Sequence, residues 1–452
     1  DRLRLSARRH EIHDTARIGR PMKALHDNCF APGSNSGGGS MRLDDALRLL
    51  DHELQAVAET ERVPLRQATR RILAEDIVAA RDVPVSDNSA VDGYAVCFEE
   101  LKRDGETALP IAGRITAGHA LGEPAKRGAA FRIFTGAALP QGDVGAGPDT
   151  VAMQEDCVVA GNLVKFPAGL VRGANVRLRG EDIAEGSRIL ARGRRLLPPD
   201  IGVAASLGLA SLPVYRKLRV ALFSTGDELH EPGQPAGSGT LFDSNRFGIA
   251  ALLQTLPCDV TDLGILPDEK ETICTALGKA ARDHDLFLTS GGVSMGEEDH
   301  VRDAVESQGA IGFWKLAIKP GHPIAFGRVH AENHDAAFFG LPGNPVAVMV
   351  TFLRIVRPGI LRLAGASPAA PLIFRVPADF TFKKNRDRVE WIRAQLVPDA
   401  GGRLVARKHP KDGSGILTAI AESDGLVELV ESVREVKPGD LVDFLPFSEV
   451  MG

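Results

Sequence analysis

Chemistry in this chain is concentrated in short loops that combine small residues with charge. One is Ser290-Gly291-Gly292-Val293-Ser294, which follows the apolar run Leu286 to Thr289 and precedes a helical stretch that includes Asp299. Successive exposed N–H groups in such a loop, together with a helix N-terminus, suit an anion. A bare strand-to-helix turn would use the same small residues, so the neighbouring loops decide between the two. The run Arg219 to Ser224 leads into Ser224-Thr225-Gly226-Asp227-Glu228, and Val260 to Leu266 leads into Pro267-Asp268. Parallel strands would bring Asp227, Glu228, Asp268 and Asp299 to one edge. Carboxylates beside a phosphate cradle are what Mg²⁺ needs, since it binds through one or two carboxylates plus substrate phosphates. Any one of these acids alone could equally be a helix N-cap.

Two further loops add counter-charge and rigidity. Lys315 and Lys319 stand four apart just before Pro320-Gly321-His322-Pro323, and Leu341-Pro342-Gly343-Asn344-Pro345 follows the apolar run Ala337 to Gly340. Solvated lysines and a structural turn would explain each separately; together they suit an anionic ligand. Polar turns recur earlier, at Asp87 to Ala95 with Asp92, at Thr135-Gly136-Ala137, and at Gly180-Glu181-Asp182. Turn chemistry accounts for them without a ligand.

The elements that must position these loops follow from pattern and punctuation. Residues 1–40 are Arg-rich at first and end in Ser34 to Ser40, a Gly/Ser run, which reads as a disordered extension. Leu43, Leu47, Leu50, Leu54 and Val57 share one helical stripe. Residues 41–83 and 177–216 are expected to form one helical unit interrupted by a small β domain at 84–176. Residues 217–367 alternate apolar strands and helices, which predicts a doubly wound, mostly parallel α/β sheet. Residues 368–452 return to short β runs and predict a C-terminal β domain. In a doubly wound sheet, ligands bind where loops leave the carboxyl ends of the strands.

Composition excludes several classes. The chain has 452 residues, 44% hydrophobic and 25% charged, with no run of about 18 apolar residues that would span a bilayer. A net charge of -5 argues against a general nucleic-acid binder. Cys29, Cys97, Cys157, Cys258 and Cys274 form no C-x-x-C pair and read as reduced thiols, which points to the cytoplasm.

The stretches D-N-S-A-V-D-G-Y-A at 87–95, F-T-G-A at 134–137, R-G-E-D-I at 179–183, F-S-T-G-D-E-L at 223–229, D-S-N-R at 243–246, S-G-G-V-S-M-G at 290–296 and L-P-G-N-P at 341–345 occur in one order. In that order the chain, from about Met41 to Pro446, resembles the MoeA family of molybdopterin molybdenumtransferases, whose relatives include the E domain of gephyrin. The resemblance implies insertion of molybdate into adenylylated molybdopterin, with Mg²⁺-assisted release of AMP. It also implies a homodimer whose active cleft is composite, so that Asp92, Thr135 and Asp182 act across the interface. Glu228, Asp268 and Asp299, with Asp227 beside them, match acids that would hold Mg²⁺. Lys315 and Lys319 match lysines that would neutralise molybdate and phosphate. Ser224, Thr225, Gly226, Ser290 to Ser294 and Pro342 to Pro345 would cradle the nucleotide and pterin. Candidate protein partners are the molybdopterin adenylyltransferase and molybdoenzymes. The chain departs from the family pattern at His322, where lysine is common, at Val91, and in a loop insertion at 144–148. The rival readings are the sister adenylyltransferase, which lacks the long β insertion and C-terminal β domain, and a gephyrin-like scaffold, which need not retain the acids.

Overall fold

The computed structural model describes residues 40–452 apart from Ala58, Ala236 and residues 293–299. The expected extension at 1–40, apart from Ser40, and the site candidates Val293, Ser294 and Asp299 lie outside the described residues. The apolar stripe near the start forms helix α1 (Leu43–Glu53), with Asp44 and Asp45 in its first turn, where the helix dipole favours negative charge. Its buried face joins a core to which the segments that flank the β insertion contribute Ile72, Ala74 and Tyr215. Leu43, Leu50 and Leu54 join the central core with Val220, Leu286 and Phe339, and Leu54 presses on the backbone of Gly359.

The two segments around the insertion do close on each other, through antiparallel pairs of Thr60–Pro64 with Ser211–Tyr215 and of Ile77–Val78 with Arg188–Leu190. Their shared core includes Val63, Leu73, Ile77, Leu212 and Val214. Among the described residues of 60–83 and 177–216, helix is confined to one 3-10 turn at Leu65–Gln67 and to α2 (Pro198–Ser206). Asp200, buried inside that helix's first turn, accepts from the Leu197 N–H at 2.9 Å and from Arg194. Pro64 and Pro213, with Gly193 and Gly208 at positive φ, break the longer helical runs that the apolar residues alone suggest. The insertion is a six-stranded sheet in which Gly93–Val96, Ala130–Ile133 and Thr150–Met153 are buried on both faces. Ala95, Phe131 and Val151 lie on one side, and Tyr94, Ala130 and Ala152 on the other.

The central sheet is built from β1 (Leu218–Thr225), β2 (Cys258–Leu266), β3 (Leu286–Ser290), β4 (Gly309–Lys315), β6 (Pro323–His330) and β7 (Asp335–Leu341). Between β4 and β6 lies a two-residue strand, β5 (Ile318–Lys319), which belongs elsewhere. The order across the sheet is β2-β1-β3-β7-β6-β4, with β2, β1, β3 and β7 parallel. Helix α3 (Ser244–Leu253) covers one face; α4 (Lys270–Ala281) and α5 (His300–Gln308) cover the other. Asp243 caps α3 by accepting from the Arg246 N–H at 3.1 Å. The chain runs outward from β1 to β2 and then returns past β1 to β3. The strand order therefore reverses between β1 and β3, and a crevice opens at their carboxyl ends.

At the opposite, amino-terminal end of β3, Asp285 is 3% exposed and accepts from Arg216 at 2.6 and 2.9 Å and from the Arg219 N–H at 2.8 Å. Burial pushes its carboxyl up, but these hydrogen bonds outweigh burial and bring it down to about 2. A folded pKa below the unfolded one stabilises at any pH above the unfolded value, and the gain is lost as pH falls from about 4 towards 2. Asp285→Asn is expected to cost roughly 2 kcal/mol at pH 7 and almost nothing near pH 2, read from urea midpoints at the two pH values. A midpoint at pH 7 equal to that of the parent would remove Asp285 from the stability of the sheet.

After α6 (Pro345–Thr351) the chain passes a five-residue π-helical turn, Phe352–Val356, and enters the C-terminal sheet. Its central strands are β8 (Val389–Pro398) and β9 (Gly425–Leu429), antiparallel to each other. The edge partner of β8 is β5, aligned parallel with Ile318 opposite Val389 and Lys319 opposite Glu390. Two residues of the central segment thus hydrogen-bond inside the C-terminal sheet.

Candidate functional site

The parallel register sets the carboxyl ends of three strands level, with Thr225 opposite Leu266 and Ser224 opposite Ser290. Ser224 and Thr225 are buried there. Thr225 Oγ1 donates to Asp268 Oδ1 at 3.0 Å, while the Ser224 hydroxyl has no protein partner. Gly226 has φ 146°, and a side chain on it would meet the Glu228 carboxylate at 2.7 Å. The Glu228 carboxylate therefore folds back over this turn. Asp227 and Glu228 are exposed, and Asp268 is half-buried. Among the described residues no group of three or more His, Cys, Asp or Glu side chains is placed to hold a metal ion by itself.

Beyond β3, Gly291 and Gly292 both have positive φ, 87° and 62°, and Gly291 N–H donates to the Leu341 carbonyl at 3.2 Å. Asn245, on the first turn of α3, donates from Nδ2 to Ser290 Oγ at 2.9 Å and to the Gly343 carbonyl at 2.7 Å. One amide thereby ties the glycine turn to the Pro342-Gly343-Asn344 loop. On its other flank Gly292 packs against Thr225 and Val301. The acids lie on the β1 and β2 side of this turn.

On the opposite side lies a cavity of about 580 Å³ shared by two sheets. Gly291, Gly292 and the Pro342 to Asn344 loop form one wall; Lys319 to Pro323 form the next; β8 and the Asp412 to Ser414 loop close it. Lys319 is half-exposed, with Nζ 3.8 Å from Glu390 Oε2, and Glu390 is itself buried and accepts from Arg388 Nε at 2.9 Å. Arg393 is 6% exposed, donates from Nη2 to the Lys411 carbonyl at 2.8 Å, and has no partner at Nε. Burial pushes its guanidinium down from the usual arginine value, against a pull upward from Asp412. Arginine nonetheless stays charged. A buried cation with an unpartnered Nε, lining the same cavity as Lys319 and Ser414, is suited to an oxyanion. His322 also lines the cavity. Its Nδ1 faces the Leu316 carbonyl, so that nitrogen carries the hydrogen and Nε2 is the one left for a ligand.

Other expected residues fall elsewhere. Lys315 ends β4, exposed and outside the cavity wall, and its carbonyl accepts from Met41 N–H at 2.8 Å. Asp92 accepts from both the N–H and the hydroxyl of Thr135 at 2.8 Å, bonds that hold its carboxyl below the usual range. Asp92 and Thr135 belong to the β insertion, Asp182 lies just past it beside Val83, and none of the three lines the cavity. Arg393, Asp412 and Ser414 were not expected, and Asn245 was noticed only as part of D-S-N-R. The available signal for Arg393 was its place two residues after Trp391, hence on the same strand face as that large apolar ring.

Fold and site together define a multidomain α/β protein whose anion-suited cleft, at a topological switch point, is completed by a C-terminal β-sheet. The family model for the MoeA N-terminal region (domain I and II) matches residues 41–208, that for a probable molybdopterin binding domain matches 221–362, and that for the MoeA C-terminal region (domain IV) matches 375–447. A molybdopterin molybdenumtransferase of Haemophilus influenzae is 38% identical over 414 residues, covering 91% of this chain and 100% of that one. One of Nostoc is 33% identical over 382 residues, covering 83% and 86%. The crystal structure of the molybdopterin biosynthesis moeA protein of Pyrococcus horikoshii aligns with a TM-score of 0.75 at 28% identity, over 90% of this chain and 100% of that one. The chain belongs to the MoeA family.

Proposed function

We propose that this chain, as a molybdopterin molybdenumtransferase, takes molybdate into the cavity between the central and C-terminal sheets and transfers it to adenylylated molybdopterin, releasing AMP. The observation that supports this most is the buried Arg393 guanidinium, lacking a partner at Nε and facing the same cavity as Lys319 and the glycine turn. Arg393 and Lys319 would hold the oxyanion by charge-assisted hydrogen bonds already in place, so no reorganisation is needed when charge develops. Ser290, Gly291 and Asn344 would line the path of the pterin phosphate. Glu228 and Asp268, with Asp227 near them, are the oxygens that would hold Mg²⁺, which when bound neutralises phosphate charge. Asp268, fixed by the Thr225 hydroxyl, is the better oriented of the two. In a homodimer, Asp92, Thr135 and Asp182 would reach the cleft of the second subunit.

Burial pushes the Cys157 thiol up to about 11 and the Cys258 thiol up to about 12, which disfavours a reactive thiolate at either. No helix among the described residues is long and apolar enough to cross a membrane. The cysteine pattern is consistent with work in the cytoplasm. Purified protein given adenylylated molybdopterin, Mg²⁺ and molybdate is expected to release AMP only when molybdate is present. Conversion of ATP and molybdopterin into the adenylylated pterin would instead assign the chain to the preceding reaction.

A further inference from the structure

Arg393 holds its place through a single side-chain hydrogen bond and through strand β8, so whatever fixes β8 against the central domain fixes the cavity's buried cation. Trp391 lies two residues before it on the same face of the strand. Directly opposite Trp391 in the ladder is Glu428 of β9, whose Oε2 accepts from Trp391 Nε1 at 2.6 Å. The same oxygen lies 2.8 Å from Arg354 Nη2, and the Arg354 guanidinium stands 5.8 Å from the Trp391 ring centre. Arg354 and Glu428 are 12% and 14% exposed at their side chains, shielded enough for the pair to count for more than a surface ion pair.

Arg354 is carried by the π-helical turn Phe352–Val356, which continues α6. That helix starts at the Pro342 to Asn344 loop, presents Ala347 to the cavity, and packs Thr351 so closely on Gly321 that a side chain there would fall 2.2 Å from Thr351 Cγ2. One helical rod thus touches the P-G-N-P loop at its start and the loop after Lys319 along its length, and through Arg354 it reaches the strand that bears Arg393. Single π turns inside helices change the direction of the side chains that follow and recur at functional sites.

We propose that Arg354 and Glu428 are positioning residues: with Trp391 they form a clamp between the central and C-terminal domains that sets Arg393 against Lys319 and so tunes oxyanion affinity. The clamp rests on the reading of the cavity as the molybdate site. The chain has two tryptophans, and Trp314 is buried with its Nε1 unpartnered, so W314F removes no hydrogen bond and leaves Trp391 as the sole emitter. In that background E428L is expected to shift Trp391 emission to the red without any substrate present. It is also expected to raise the KM for molybdate about tenfold while kcat stays within about twofold. E428Q keeps an oxygen acceptor for the indole and is expected to recover part of the loss. R354M, which removes the cation from the other end, carries the same expectations and serves if E428L does not fold. Emission and molybdate KM equal to those of W314F, or a fall in kcat at constant KM, would overturn the clamp. Absence of molybdate-dependent AMP release in W314F and in the parent alike would instead defeat the functional reading, while the substrate-free emission would still report on the clamp.

Discussion

Arg393→Met is expected to lower kcat/KM for molybdate-dependent AMP release by about 10²- to 10³-fold, the loss typical of removing one preorganised charge donor from a reacting site. The guanidinium is 6% exposed, and its Nε has no protein partner, so its donors are in place before any ligand arrives. Methionine keeps the length and much of the volume of the side chain. It leaves no unpaired buried charge, because Arg393 is in no ion pair short enough to strand a carboxylate. Replacing a desolvated cation by an apolar side chain of similar size is often neutral or stabilising, so the urea midpoint should be unchanged or raised. Lys319→Met should cost less, about tenfold, since Lys319 is half-exposed and already shares its charge with Glu390. Turnover of the Arg393 variant within about threefold of the parent would take the buried guanidinium out of the anion site.

The parts of this fold legible in the sequence are those governed by local pattern. Buried parallel strands read as continuous apolar runs. For that reason Arg219 to Ser224 and Leu286 to Thr289 stand within one residue of the strands found at Leu218–Thr225 and Leu286–Ser290, whereas Val260 to Leu266 falls within two residues of Cys258–Leu266, a largely exposed edge strand. The stripe of α1 was equally plain, but periodicity says which face is buried and not against what. Most of the core it joins lies in the central segment, more than a hundred residues away in sequence, with Ile72, Ala74 and Tyr215 added from the neighbouring unit. Strand β5 was illegible for the same reason: two residues cannot show a period, and their partner Val389-Glu390 belongs to another domain.

Within the site, residue types were legible and the partners they meet were not. Asp268 was visible as an acid after a strand; its tether to the Thr225 hydroxyl required the register of β1 against β2. Lys315 and Lys319 looked equivalent, yet the chain leaves the central sheet between them, so one ends an edge strand and the other faces the cavity. Arg393 was hidden because a cation inside a strand ordinarily marks a solvent face. Here the second sheet turns that face into a wall.

Gly292→Ala is expected to be strongly disruptive although it adds a single carbon. The residue sits at φ 62°, where alanine costs about 1 kcal/mol, and its added carbon would stand 2.6 Å from Thr225 Cγ2 and 2.7 Å from Val301 Cγ2. Neither neighbour can withdraw cheaply. Thr225 is buried and its hydroxyl holds Asp268, while Val301 is fully buried in the first turn of α5. Overpacking of this kind adds about 1 to 3 kcal/mol, so the total loss should be roughly 2 to 4 kcal/mol in urea unfolding. Because the displaced threonine carries the orienting bond to Asp268, turnover should fall at least about tenfold even where the variant remains folded. Gly343→Ala, on the facing loop, is the control for stability, since a side chain there meets nothing within 4 Å and the backbone is not left-handed. If the two variants unfold at the same urea concentration, the glycine at 292 is not required by the packing of Thr225 and Val301, and the cleft is more yielding than its contacts indicate.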